Sequence, residues 1–317
     1  MRVTIIGGTG HIGSFLAPQL VRAGHRVTVV SRGEREPYAL ELNDRRELWR
    51  EVERVRCDRR AAEADGTFAA LVAGLDAEVV MDLTCFTVDQ ARHLIGGLDG
   101  QHLVHTGSVW AYGRSTVVPT TEQSPKAPYG QYGIAKAQLE DHLLREQRRV
   151  PATVIHPGHI SGPGWPAINP AGNLDPAVLR GLRAEGRCLL PDAGMGLLQH
   201  VHAADVAALH LAAMAAPQAA CGEAFNAVAT ESLTLRCYAS LIARHFGHEP
   251  QLEFLPWSQW ATRVGAEYAA VTADHVERSP HHSMAKAERL LGFVPAHTAS
   301  ETVVEAAQWQ ADQGLLD

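Results

Sequence analysis

Short apolar, β-branched runs punctuate the first half of the chain, at 3–6, 26–30, 78–83, 102–105 and 153–156. Between them lie segments whose apolar positions recur at three- and four-residue spacing, at 11–24, 63–73, 88–97 and 130–148. The short runs predict buried strands, and the longer spacing predicts helices with one apolar face. Strand and helix in alternation predict a parallel sheet covered by helices on both sides. The segment 32–50 is charged and lacks a clear period, so it reads as a loop with at most one helical turn. After Pro157 the texture changes. Residues 157–176 pass from Pro157-Gly158 through Gly162-Pro163-Gly164 to Pro176, which marks loops. Beyond them, helices are expected at 175–186, 203–216, 234–246 and 300–313, and short strands at 223–228 and 251–255. The expected organisation is α/β: a regular domain over 1–160, then a smaller, irregular lobe over 161–317 with some segments returning to the first domain.

Composition adds bounds. Of 317 residues, 46% are hydrophobic and 20% charged, which is ordinary for a globular chain long enough to bury a large core. The 28 Lys and Arg against 35 Asp and Glu leave a net charge of −7, which argues against nucleic acid as a partner. The basic cluster Arg54, Arg56, Arg59 and Arg60 is diluted by Glu51, Glu53 and Asp58. Five cysteines without a CxxC pair fit reduced thiols better than a disulfide framework. With no basic leader and no apolar run of membrane-spanning length, a soluble, cytoplasmic protein is expected.

The first strand runs into Gly7-Gly8-Thr9-Gly10-His11-Ile12-Gly13, and an amphipathic helix follows. Glycines at this spacing allow a tight turn, bring backbone N–H groups to a pyrophosphate, and let helix and strand pack closely. The positive end of the helix then faces the phosphates. A strand before and a helix and strand after supply the context a dinucleotide site requires, so a doubly wound Rossmann sheet is expected. At the tip of the second strand, Ser31 and Arg32 stand where NAD-selective proteins place an acid for the ribose hydroxyl. A guanidinium there can clamp a 2′-phosphate, so NADP(H) is favoured over NAD(H).

Strand 102–105 ends in Thr106-Gly107-Ser108, and Tyr132-Gly133-Ile134-Ala135-Lys136 lies in the predicted helix 130–148. Tyr132 and Lys136, four residues apart, share a helical face. A neighbouring ammonium and an oxidised nicotinamide would favour the phenolate and lower the pKa of the tyrosine. Ser108, at the carboxyl edge of the sheet, can bond a substrate oxygen.

Taken together, these motifs resemble the extended short-chain dehydrogenase/reductase superfamily, in particular its NAD-dependent epimerase/dehydratase-like group, over nearly the whole chain. Gly7, Gly10 and Gly13 match its GxxGxxG, with Thr9, His11 and Ile12 completing the loop. The resemblance implies that Asp58 contacts the adenine and that Leu83-Thr84-Cys85 is the strand end beside the cofactor. It implies that Pro157 and Gly158 border the nicotinamide, and it matches His202-Ala203-Ala204-Asp205-Val206-Ala207 to a family segment. It also implies Tyr132 as acid/base, Lys136 as ribose ligand and tuner of Tyr132, and Ser108 as substrate orienter. Tyr112 and Tyr129 have no Lys four residues on.

Three departures narrow the chemistry. Val109 and Trp110 stand where sugar-nucleotide dehydratases of the superfamily carry an Asp-Glu pair, so dehydration is not expected. Leu198 stands where nucleotide-sugar epimerases usually hold the diphosphate with Arg, so a small molecule other than a nucleotide sugar is expected, unless Arg278 or Arg263 substitutes. Trp110 and Phe86 could line an apolar pocket, to which the lobe would add Trp165, Asn173, Trp257 and Arg278. His159, after the Pro-Gly turn, is a candidate substrate contact. Cys85 reads as packed at a strand end. His200-x-His202 lacks further ligands at metal spacing, and no metal is expected.

The leading reading is an oxidoreductase that transfers hydride between a nicotinamide and a ketone or secondary alcohol, with Tyr132 moving the proton. The alternatives are an epimerase with tightly held NAD and a non-enzymatic cofactor-sensing or RNA-associated protein. The family's habit of pairing through two helices implies a homodimer through 130–148 and 88–97, with Ile134, Leu139, Leu143 and Leu144 as apolar surface.

Overall fold

A computed structural model describes residues 1–145, 147 and 149–317. Six strands come first in the chain: β1 (Arg2–Ile6), β2 (Arg26–Ser31), β3 (Glu53–Arg56), β4 (Val79–Asp82), β5 (His102–Thr106) and β6 (Ala152–Pro157). With the later strand Ala224–Ala227 they form one seven-stranded sheet in the order Ala224–Ala227, β6, β5, β4, β1, β2, β3. All its pairings are parallel, β1 lying between β2 (Val3 against Val27) and β4 (Val3 against Val79). Chain order reverses between β1 and β4, so a crevice opens at their carboxyl ends, where doubly wound sheets bind ligands.

The helices α1 (His11–Arg22), α2 (Arg45–Arg50), α3 (Arg59–Ala64), α4 (Phe68–Gly74), α5 (Val88–Gly97), α6 (Gly130–Arg145), α7 (Pro176–Glu185) and α8 (Ala203–Ala215) follow in chain order. Phe15, Leu16 and Leu20 of α1 and Val206, Leu209 and Met214 of α8 pack on one face of the sheet. Phe68 and Val72 of α4, Leu94 and Ile95 of α5, and Leu139 and Leu143 of α6 pack on the other. Each such side chain contributes roughly 1.5–3 kcal/mol on burial, which fixes the helix faces. A third core, around Leu182, Leu190, Tyr238, Ile242, Trp260 and Val303, holds the carboxyl-terminal lobe together.

The five predicted strands form, and so do the four predicted lobe helices, within a residue or two. β3 escaped the pattern because it is an edge strand whose Glu53, Arg54 and Arg56 are exposed. The stretch 32–50 contains α2, which buries Trp49. The single helix expected at 63–73 is two, α3 and α4, parted at Gly66, whose φ of 78° is a left-handed conformation. Helix 130–148 ends at Arg145, and positions 146 and 148 of that expectation lie outside the described residues. The lobe also gains helices at Trp257–Val264 and Ala266–Val276, and a strand at Arg187–Pro191 pairs in parallel with Gln251–Leu255. Among the described residues, no helix is long and apolar enough to cross a membrane.

Candidate active site

Backbone geometry builds the glycine loop. Gly7 has a φ of 82°, and a Cβ there would fall 2.2 Å from the Thr84 methyl group at the end of β4. Gly13, in the first turn of α1, stands where a Cβ would meet the Gly8 carbonyl oxygen at 2.2 Å. Only glycine allows these two approaches. Gly10 caps α1 without a side-chain bond, and no acidic residue occupies the first turn. The free N–H groups and positive end of α1 therefore face the crevice, which suits an anionic pyrophosphate. Above the loop, His11 bonds the Pro163 carbonyl at 3.1 Å and stacks on Trp165. Burial pushes His11 down to about 3, so the ring stays neutral.

The crevice continues into a cleft of about 1060 Å³. Gly7, Thr9, Gly10, His11, Ile12, Gly13, Ser31, Arg32, Asp58, Leu83, Thr84, Tyr132 and Gly158, all named from the sequence, line it. Asp58 also caps α3 by accepting the Ala61 N–H at 3.1 Å. Arg32 is exposed and pairs with Glu34 at 3.2 Å. Pro157 is buried at the end of β6 and lies behind the lining.

Tyr132 opens on the cleft with 43% of its surface exposed. Ser108 (7% exposed) and Lys136 (2%) sit behind it. The Ser108 hydroxyl accepts the Trp110 N–H at 3.2 Å, and the Trp110 ring meets the Tyr132 ring edge-on at 5.7 Å. One expectation needs correction. The Lys136 ammonium does not turn to the phenol; it donates to the carbonyls of Cys85 and Thr106, both at 2.8 Å, and lies 5.8 Å from the Tyr132 ring centre. Lys136 thereby ties the ends of β4 and β5 to α6. Burial lowers it to about 8. Burial likewise raises Tyr132 above the usual phenol value, opposed by the Ser108 hydroxyl, while solvent at its exposed edge moderates the penalty. Burial by itself thus favours the protonated phenol, whereas the shift toward phenolate expected from the sequence also drew on an oxidised nicotinamide.

Beneath this trio lies a network the sequence did not reveal. Glu140, one turn beyond Lys136, accepts from His156 Nε2 at 3.0 Å and pairs with Lys126. Burial alone would raise Glu140, but the His156 bond and the Lys126 charge outweigh it and hold the carboxyl near 2, against an ordinary 4.5. A depressed carboxyl contributes stability above its unfolded value and loses it as pH falls through the folded one. In urea unfolding, wild type is therefore expected to exceed Glu140→Gln by a margin present above about pH 4.5 that vanishes toward pH 2. A margin unchanged over that range would contradict the assignment.

Other sequence candidates fall elsewhere. Phe86, Trp165 and His159 line the cleft. The His159 ring accepts the Gln199 N–H at Nδ1 (3.2 Å), and burial beside His275 and His200 keeps it neutral. Asn173, placed in the pocket by the sequence, is buried in bonds to Asn169 and Thr272; a short polar residue in a loop gives no local sign of that. Trp257 packs on Trp260 in the lobe core. Arg278 is buried, lies over Trp110 at 3.7 Å, bonds Asp274 and Tyr129, and stands outside the cleft lining. Arg263 is exposed outside the cleft lining. Tyr112 is buried and bonds Asn226. Cys85 is buried and its thiol is pushed up to about 12, by burial and then Asp82. His200 and His202 diverge, one to Ser161 and the other to Glu305. Of the four residues suggested as dimer surface, Leu139 and Leu143 are buried against the sheet, Leu144 packs on its core and only Ile134 is exposed. The cleft also brings in Arg35, whose guanidinium lies 3.8 Å from a Cβ built on Gly10, and Thr87, Gln90, Ile168 and Leu174.

Comparison with known proteins matches residues 3–227 to the NAD dependent epimerase/dehydratase family. The 2′-dehydrokanamycin reductase of Streptomyces kanamyceticus is 33% identical over 142 residues, a match spanning 44% of this chain and 37% of that protein. The UDP-glucose 4-epimerase of Corynebacterium glutamicum is 25% identical over 345 residues, 100% of this chain and 97% of that one. Among solved structures, the Bifidobacterium longum UDP-glucose 4-epimerase in complex with NAD+ and UDP superposes with a TM-score of 0.75 at 17% identity, covering 99% of both chains.

Proposed function

The chain belongs to the NAD dependent epimerase/dehydratase family, and from that premise we propose an NADP(H)-dependent oxidoreductase acting on a ketone or secondary alcohol of a small, uncharged metabolite. The observation that carries the reading is the half-exposed Tyr132 in the lining of the cleft, with Ser108 behind it, beside a glycine loop that only a backbone without side chains can form. NADP(H), when bound, supplies or accepts the hydride. Thr9 to Gly13 would hold its phosphates, Asp58 its adenine, and Lys136 its ribose with the donor capacity left over from Cys85 and Thr106. Ser108 orients the substrate oxygen and Tyr132 gives it a proton; a phenol held neutral suits reduction.

Charge along the cleft supports the substrate class. Its cationic lining side chains, Arg32, Arg35, Arg59 and Arg60, belong to the segment from the tip of β2 to α3, around Asp58. The rest of the lining includes the apolar Phe86, Ile160, Trp165, Ile168 and Leu174, with His159 neutral. The Bifidobacterium protein was solved with UDP, so the distinction from a nucleotide sugar rests on side chains, not on the fold. Leu198 is fully buried and Arg278 is committed elsewhere, so among the described residues neither position offers a diphosphate a cation.

Arg32 is the proposed 2′-phosphate ligand. Replacing it with Ala is expected to weaken NADPH about tenfold or more while leaving NADH unchanged, since a bond to a charged group contributes ~1.5–3 kcal/mol. Equal affinity of the wild type for both cofactors, measured by fluorescence titration, contradicts the preference.

The activity is tested by incubating protein and NADPH, or NADP+, with panels of small ketones and secondary alcohols while following the absorbance of the reduced nicotinamide. Stoichiometric change supports the reading. The whole-length likeness to the Corynebacterium epimerase favours a second reading, and in that case cofactor copurifies and substrate is isomerised without net absorbance change.

A further inference from the structure

We infer that Glu140 and His156 form a positioning pair that fixes the backbone of Ser108, and through it the substrate oxygen facing Tyr132. The inference rests on the proposed role of Ser108 and goes beyond it. His156, on β6, is sealed from solvent. Its Nδ1 lies 3.0 Å from the Ser108 backbone nitrogen, and its Nε2 lies 3.0 Å from a Glu140 carboxylate oxygen. An amide N–H can only donate, so Nδ1 must carry a lone pair. A neutral ring then holds its proton on Nε2, where the carboxylate accepts it. Both bonds demand the same tautomer, and Glu140 enforces it.

The approach is built into the chain. A Cβ on Gly107 would fall 2.5 Å from His156 Nδ1, so glycine before Ser108 is what admits the ring. Tyr132, Lys136 and Glu140 follow at four-residue intervals on one face of α6. Lys136 holds the Thr106 carbonyl, and Glu140, through His156, holds the Ser108 amide. The end of β5 is thereby pinned at two points to the helix that carries Tyr132. The brace fixes the backbone from which the Ser108 hydroxyl reaches toward Tyr132, and the Trp110 N–H then orients that hydroxyl.

The near-isosteric Glu140→Gln tests it. The glutamine has one acceptor oxygen for two donors. Lys126, which can only donate, takes that oxygen, so the amide NH₂ faces His156 Nε2 and drives its proton to Nδ1, against the Ser108 N–H. The experiment uses full-length protein with NADP+, ¹⁵N-labelled, with the His156 ring signals assigned through His156→Gln. Wild type is expected to show the Nε2–H tautomer. E140Q is expected to shift toward Nδ1–H, to displace the Ser108 amide resonance, and to lower kcat about ten- to hundredfold with NADP+ affinity unchanged. Glu140→Asp, which keeps two acceptor oxygens, should retain the tautomer and recover part of kcat. A wild-type ring protonated on Nδ1 overturns the inference even if E140Q fails to fold, and so does an E140Q protein whose Ser108 amide and kcat are unmoved. The tautomer is read without substrate, so a protein that showed the expected ring but no turnover would contradict the oxidoreductase reading and not the brace.

Discussion

Tyr132→Phe is expected to lower turnover by about 10²–10⁴-fold, the usual contribution of a positioned acid or base, with cofactor affinity unchanged. The substitution removes one oxygen, whose neighbour is the Ser108 hydroxyl, from a ring that is 43% exposed and packs edge-on to Trp110. Thermal stability should therefore be that of the wild type, which separates lost chemistry from lost structure. The pH profile sharpens the expectation. Burial holds the phenol above its ordinary value, so reduction should persist through neutral pH and decline on the alkaline side as the phenol loses the proton it must give. Turnover by Tyr132→Phe near the wild-type rate would remove Tyr132 from the mechanism.

Gly13→Ala should have the second large effect, on binding rather than chemistry. The added Cβ would stand 2.2 Å from the Gly8 carbonyl oxygen and 2.5 Å from the Gly8 carbonyl carbon and Cα, all backbone atoms. None can rotate away, so α1 must shift from the loop that aims its N–H groups into the crevice. Overpacking of this kind costs about 1–3 kcal/mol, and NADPH affinity should fall at least about tenfold to hundredfold along with stability. Gly96→Ala serves as the control. It lies exposed in α5 with nothing within 4 Å of the added carbon, and should bind cofactor normally. Equal NADPH affinity for Gly13→Ala and wild type would show that the loop does not need this approach.

What the sequence disclosed follows from which forces leave a local trace. Strands β1, β2, β4, β5 and β6 are apolar because both faces of the sheet are covered, and that shows in one dimension. β3 pairs by backbone bonds along one edge and keeps Glu53, Arg54 and Arg56 in water, so its side chains say little. The glycine loop was legible because close backbone approach excludes every other residue type. Tyr132, Lys136 and Ser108 were legible as a pattern, yet their relation was not: Lys136 bonds carbonyls of Cys85 and Thr106, and carbonyls have no sequence signature. Asn173, Trp257 and Arg278 seemed fit for a pocket by type, but burial by distant segments decided otherwise. Two signals for the brace beneath Ser108 were present and unread. One was Glu140 at the third position of the Tyr132–Lys136 series; the other was a histidine inside the apolar strand β6.

The central claim is that Tyr132 and Ser108 meet a substrate beside a dinucleotide seated on the glycine loop. A crystal structure of the protein with NADP+ tests it most directly. The account predicts the pyrophosphate on the backbone N–H groups from Thr9 to Gly13, the 2′-phosphate near Arg32, and nicotinamide C4 on the Tyr132 side of the cleft within reach of a carbon bonded to the oxygen that Ser108 holds. A nicotinamide directed away from Tyr132, or a loop left empty at saturating NADP+, would contradict it.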